Sequence, residues 1–169
     1  IKVFSHLQLY CKANKIKLYF LDRPRLDRYK FLHNYLRFNF NYISSSNSIN
    51  NYKLFKKNTL FAFCISTMGY EALSKGLRVA SFDHLKFNHG LKKYKKNGPF
   101  WCSDKKYTAV KNTLNKVINY NEKKWSLIYK TYSPQIMAYD KNNHKKKKII
   151  NNLINRTNHI KKNYFLKFK

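Results

Sequence analysis

The stretch Leu60–Phe82 constrains the fold more than any other. Leu60-Phe61-Ala62-Phe63-Cys64-Ile65 is an unbroken apolar run of strand length, the pattern expected of a strand buried on both faces. Ser66-Thr67-Met68-Gly69 reads as a turn, Tyr70 to Lys75 as a short helix, and Gly76 stands where a helix stops on a left-handed residue. Arg78-Val79-Ala80-Ser81-Phe82 is the next strand. Two strands joined by a helix through connections this short run parallel. The segment therefore sets the class as α/β and argues against an all-helical or purely antiparallel domain.

The flanks extend the pattern. Val3, Phe4, Leu7 and Cys11 recur at helical spacing, and that helix ends near Ala13-Asn14-Lys15. Ile16 to Leu21 alternates as a strand, Pro24 breaks the chain, Asp27 to Phe38 reads as a helix and Phe40 to Ile43 as a short strand. Ser44 to Ser48 is a loop and Asn50 to Lys57 a short helix. A loop from Asp83 to Cys102 leads to three C-terminal helices. The first carries Val110, Leu114, Val117 and Ile118; the second, from Glu122 to Tyr132, carries Trp125, Ile128 and Tyr129; the third, from Asn142, carries Ile149, Ile150, Leu153 and Ile154. The expected architecture is a Rossmann-like parallel sheet flanked by helices, with one domain over residues 1–155 and a basic tail over 156–169.

Charge needs care. The chain has 36 Lys+Arg against 7 Asp+Glu and a formal net charge of +29, which invites a nucleic-acid partner. Yet Val, Ala, Asp, Glu and Gly, all with codons beginning in G, together supply only 21 residues, while Lys, Asn, Ile, Tyr and Phe supply 90 of the 169. One AT-biased genome explains both, because Gly and Val, four of each, are scarce as Glu is and carry no charge. The positive charge is thus chiefly a compositional signature, and no nucleic-acid motif supports the alternative of a basic nucleic-acid-binding module. A second alternative, a peripheral membrane module, rests on the basic-aromatic stretch His159 to Lys169. Three cysteines without a CxxC pair fit a reduced, cytoplasmic compartment better than a disulfide scaffold. No signal peptide or membrane span is expected, and the first residue, Ile1, suggests that a segment precedes it.

Chemistry concentrates at the end of the first buried strand. Ligands of open α/β sheets bind at strand carboxyl ends, and a helix N-terminus there offers unpaired amides to an anion. Ser66, Thr67, Met68 and Gly69 occupy that place: two hydroxyls to donate to phosphate oxygens, and a glycine to admit a ligand close to the backbone. Glu71 falls in the first helical turn, suited to accept from a ribose diol. The competing reading is a simple helix cap, although Glu71 is out of register for a capping box because position 68 is Met. Arg23, with Arg25 and Arg28, follows the first strand and can neutralise a diphosphate or remain a solvated loop. His84 and His89 flank the loop after Phe82; a donor contact or an exposed histidine suits them better than a metal site, so no metal is expected.

Ser66-Thr67-Met68-Gly69-Tyr70-Glu71-Ala72-Leu73, with Gly76, Arg78 and Val79, resembles the S-T-x-G-Y-E-A-L-x-x-G-x-x-V segment of a bacterial family of surface carbohydrate biosynthesis proteins, itself similar to GT-B glycosyltransferases. The likeness continues through Gly98-Pro99-Phe100-Trp101, Trp125 and Ile136-Met137-Ala138-Tyr139-Asp140, covering roughly residues 5 to 155. The family's glycine beside the late asparagine is not matched, since Asp140 is followed by Lys141-Asn142-Asn143. The resemblance implies the C-terminal, donor-binding half of a GT-B fold, a glycosyltransferase moving a sugar from a nucleotide-sugar to a surface polysaccharide. It implies that Ser66, Thr67 and Gly69 contact donor phosphate and Glu71 the ribose, that no cofactor or metal is needed, and that the catalytic base stands in an N-terminal half. Partners implied are the nucleotide-sugar and a glycan or lipid-linked glycan acceptor; contact with an anionic membrane is a separate expectation, from the basic stretches Lys145–Lys148 and His159–Lys169, and no nucleic-acid partner is expected.

Overall fold

A computed structural model describes residues 2–21, 34, 41–43, 52–56, 59–64, 66–82, 97–137, 144 and 147–155. The chain divides into two units, Ile1–Met137 and Ala138–Lys169.

The first unit opens with helix α1, Lys2–Ala13, which buries Val3, Leu7, Gln8 and Tyr10, an i, i+4, i+7 stripe with its neighbour. Lys15 turns the chain out of the helix in the left-handed region, at φ 54°. Strand β1, Tyr19–Leu21, pairs in parallel with β2, Asn41–Ile43, in the register Tyr19–Asn41, Phe20–Tyr42 and Leu21–Ile43. The alternation expected from Ile16 is thus a ladder only in its last three residues. The helix expected over Asp27–Phe38 and the loop over Ser44–Ser48 lie outside the described residues, apart from residue 34, which is helical. Of the short helix expected over Asn50 to Lys57, the described residues form a 3-10 turn, Tyr52–Leu54.

The parallel unit follows as read. Strand β3, Phe61–Phe63, helix α2, Thr67–Ser74, and strand β4, Val79–Ser81, run in succession, with β3 and β4 parallel and paired Phe61–Val79, Ala62–Ala80, Phe63–Ser81. One expectation changes. Strand β3 is not buried on both faces: Ala62 is exposed and its neighbours are half-buried, whereas all three residues of β4 are buried. The asymmetry has a cause, since β4 also bonds to the 97–102 segment on its other side, through a parallel bridge of Ser81 to Trp101. Among the described residues the strands form two separate pairs rather than one continuous sheet.

Helix α2 ends as the sequence requires. Gly76 adopts φ 80°, its amide donates to the Leu73 carbonyl at 2.8 Å and the Leu77 amide reaches Ala72 at 3.0 Å. Those two bonds define a Schellman stop that only glycine enters without strain. Helix α3, Tyr107–Asn119, buries Val110, Thr113, Leu114 and Val117. Helix α4, Glu122–Ile136, runs past the expected end at Tyr132 and contains Pro134. So late in the helix a proline removes one donor only, and the Met137 amide still closes on the Ser133 carbonyl at 2.9 Å.

Strand β4 divides the core into two faces. Val79 packs with Ala72, Leu73, Phe100, Trp101, Val117, Trp125 and Ile128 under α2 and α4. Ala80 and Phe82 pack with Val3, Leu7, Tyr10, Cys102, Val110 and Leu114 under α1 and α3, as the two-residue period of a strand dictates. The GPFW segment supplies Phe100 and Trp101, which meet edge to face at 4.9 Å and both abut Tyr132. In the second unit, residues 147–155 are helical and every one of them is exposed.

Candidate functional site

The parallel pairing brings two strand ends to one edge. Phe63 lies opposite Ser81, and the Phe82 amide donates to the Phe63 carbonyl at 2.7 Å. Helix α2 begins at that same edge, because only Cys64, Ile65 and Ser66 separate it from β3. The strand-end rule therefore selects one place, the N-terminus of α2 beside the carboxyl ends of β3 and β4.

Ser66 is the N-cap, with extended backbone at φ −155° and ψ 122°, and its side chain accepts from the Gly69 amide at 3.4 Å. Its carbonyl accepts the Tyr70 amide at 3.2 Å, the first intrahelical bond. The four residues expected as a turn are thus a cap and the first three residues of the helix. Capping uses an oxygen lone pair of Ser66 and leaves its hydroxyl proton available to donate. The amides of Thr67 and Met68 come too early in the helix to reach a carbonyl one turn back within it, and among the described residues they have no other acceptor. Thr67 is exposed, while Met68 is half-buried.

Two candidates change role. Gly69 is buried, and a Cβ built on it would collide with the ring of Phe63. The bare side of this glycine admits Phe63, not a ligand, and its amide is already committed to Ser66. Glu71 is not in the first turn, because α2 starts at Thr67. It stands one full turn on from Thr67, an i, i+4 relation that puts the two side chains on one helix face, roughly 5–6 Å apart at Cβ. Arg23 and His84 lie outside the described residues; in sequence they stand two places after Leu21 and Phe82.

The sequence did not single out Ser81. Its hydroxyl is fully buried with no hydrogen-bond partner among the described residues, and strand alternation puts it on the face of Val79, the side covered by α2. The available signal was a lone hydroxyl at the end of an apolar strand.

Arg78 was legible only as part of a motif, and its work is structural. Nη1 donates to the Val117 carbonyl at 2.6 Å and Nη2 to the Tyr120 carbonyl at 2.6 Å, with Glu122 at 3.3 Å. A guanidinium thus closes the C-terminus of α3, where the helix dipole favours a cation. Nearby, the Trp125 indole donates to the Gly76 carbonyl at 2.8 Å. A depression of about 480 Å³ lined by Lys75, Arg78, Glu122, Trp125 and Tyr129 opens here. It lies at the amino end of β4, opposite to the end where strand geometry favours a ligand, and its principal cation is already bonded to carbonyls.

No group of three or more metal-ligating side chains occurs among the described residues, and no described helix is long and apolar enough to cross a membrane. Burial pushes the Cys11 and Cys102 thiols above their ordinary range, so both are packing groups and poor nucleophiles.

A family model described as "putative O-antigen biosynthesis protein" matches residues 2–154, nearly the whole chain. No curated protein and no solved structure matches.

Proposed function

The chain belongs to that family of O-antigen biosynthesis proteins, and from this premise we propose that it is the donor-binding half of a GT-B-like, Rossmann-type glycosyltransferase that builds a surface polysaccharide. The observation that carries the reading is the β3–α2–β4 unit, whose Ser66-capped helix opens at the carboxyl edge of two parallel strands. The donor is a nucleotide-sugar, held by its diphosphate over the α2 N-terminus.

The chemistry follows from the donors available. In transfer, the bond between the sugar's anomeric carbon and the diphosphate oxygen breaks while a bond to an acceptor hydroxyl forms, and negative charge grows on the departing phosphate. The Thr67 and Met68 amides, the positive end of the helix dipole and the Ser66 and Thr67 hydroxyls meet that charge without reorganising. Glu71, one turn along the same face as Thr67, is placed to accept from a ribose diol while Thr67 holds phosphate. Arg23 and His84 are proposed as further donor contacts. Deprotonation of the acceptor is assigned to a group outside this chain.

The test uses the full-length protein and a panel of uridine, cytidine and guanosine diphosphates in calorimetry. Thr67→Ala and Glu71→Ala each lower affinity for the preferred nucleotide about tenfold, the worth of one charge-assisted hydrogen bond. Only Thr67→Ala weakens binding of inorganic pyrophosphate. Affinities unchanged in both variants overturn the assignment.

A further inference from the structure

The helix at residues 147–155 carries a segregated surface that the donor site does not use. Projected at 3.6 residues per turn, Ile149, Leu153, Ile150 and Ile154 fill one continuous arc, and Lys147, Asn151, Asn155, Lys148 and Asn152 fill the rest. The four apolar side chains are all exposed, Ile149 by 59% and Ile154 by 50%. Exposed branched apolar residues gathered on one face of a helix mark an interaction surface.

Charge chooses that occupant. The helix is entered through Lys145 to Lys148 and left through Arg156, Lys161 and Lys162, with no acidic residue anywhere from 141 to 169. A second copy of the chain would bring another +29 against it, and like charges oppose that contact. A nucleic acid would match the lysines and leave the isoleucines unused. An anionic lipid surface satisfies both: headgroups attract the cations, and the acyl boundary receives the apolar arc of a helix lying in the plane. That the sequence-wide charge is compositional does not weaken this step, because composition does not sort isoleucine from lysine around a helix.

We propose that residues 147–155 form an in-plane amphipathic helix that docks the protein on an anionic membrane surface. This places the chain where a lipid-linked acceptor is presented, but it does not depend on the donor site. The test is co-sedimentation of the full chain with phosphatidylcholine vesicles, with and without phosphatidylglycerol. The expected result is binding to the anionic vesicles alone, weakened by salt. A triple variant, I149N/I150N/I154N, should lose at least about tenfold in partitioning. Because these side chains are exposed, its circular dichroism and melting curve should match the parent. Parent-like sedimentation of the triple variant would show that charge alone binds and would overturn the proposal. Failure of the parent to bind anionic vesicles overturns it too, as does a dimer in light scattering that the triple variant dissolves.

Discussion

Replacing Arg78 with methionine keeps the aliphatic stem and removes the guanidinium that joins the start of β4 to the end of α3. Two bonds of 2.6 Å to carbonyls are lost, each charge-assisted and worth about 1.5–3 kcal/mol before screening. The Arg78 side chain is 20% exposed, and water can reach part of what is vacated, so the lower half of that range applies. Its ion pair adds little, because the Glu122 side chain is 74% exposed and such pairs contribute about 0–1 kcal/mol. Together these give a loss of about 3–5 kcal/mol for Arg78→Met and roughly zero for Glu122→Gln. Urea unfolding followed by tryptophan fluorescence reads it directly, since Trp101 and Trp125 are 5% and 2% exposed. Arg78→Lys should fall between, because an ammonium cannot fork to both carbonyls. The reasoning is refuted if Arg78→Met lies within about 0.5 kcal/mol of the parent, or if Glu122→Gln costs as much as Arg78→Met.

Gly69→Ala should destabilise by about 1–3 kcal/mol by forcing the Phe63 ring from its place, whereas Ser66→Ala should cost about 1 kcal/mol through the lost cap; both are read from denaturant curves. Gly76→Ala, at a φ of 80°, should cost about 1 kcal/mol, with the melting temperature as the measure. Burial holds the Cys11, Cys102, Tyr10 and Tyr120 protons more tightly in the folded chain than in the unfolded one. The folded state therefore keeps protons that the unfolded state releases, so the stability they confer is whole below the unfolded values and drains away as pH rises past about 9. Urea midpoints across the alkaline range should fall, and a Cys11→Ser, Cys102→Ser double variant should flatten the early part of that fall.

Legibility followed the range of the interactions involved. Local rules sufficed for Gly76, for the Ser66 cap and for α3, because cap geometry and helical periodicity are written within a few residues. The burial of β3 was misjudged because an apolar run does not say how many neighbours a strand has. Among the described residues Phe61, Ala62 and Phe63 pair with β4 on one side, and β4 alone gains a second partner, in Trp101. The role of Gly69 turned on Phe63, six residues away and across a turn, so the choice between ligand space and ring space was a packing matter. Arg78 reaches carbonyls 39 and 42 residues distant, and the Ser81 hydroxyl is left without a hydrogen-bond partner among the described residues by its place in a buried strand. No sequence window spans either fact.

In the proposed complex a nucleotide's diphosphate sits on the α2 N-terminus. Amide chemical shifts during titration with a nucleoside diphosphate address it most directly. Thr67 and Met68 should move first and furthest, with Glu71 following only when the nucleoside is present and not with pyrophosphate. Shifts confined to Lys75, Arg78, Trp125 and Tyr129, at the opposite end of β4, would contradict it, as would a spectrum that does not change.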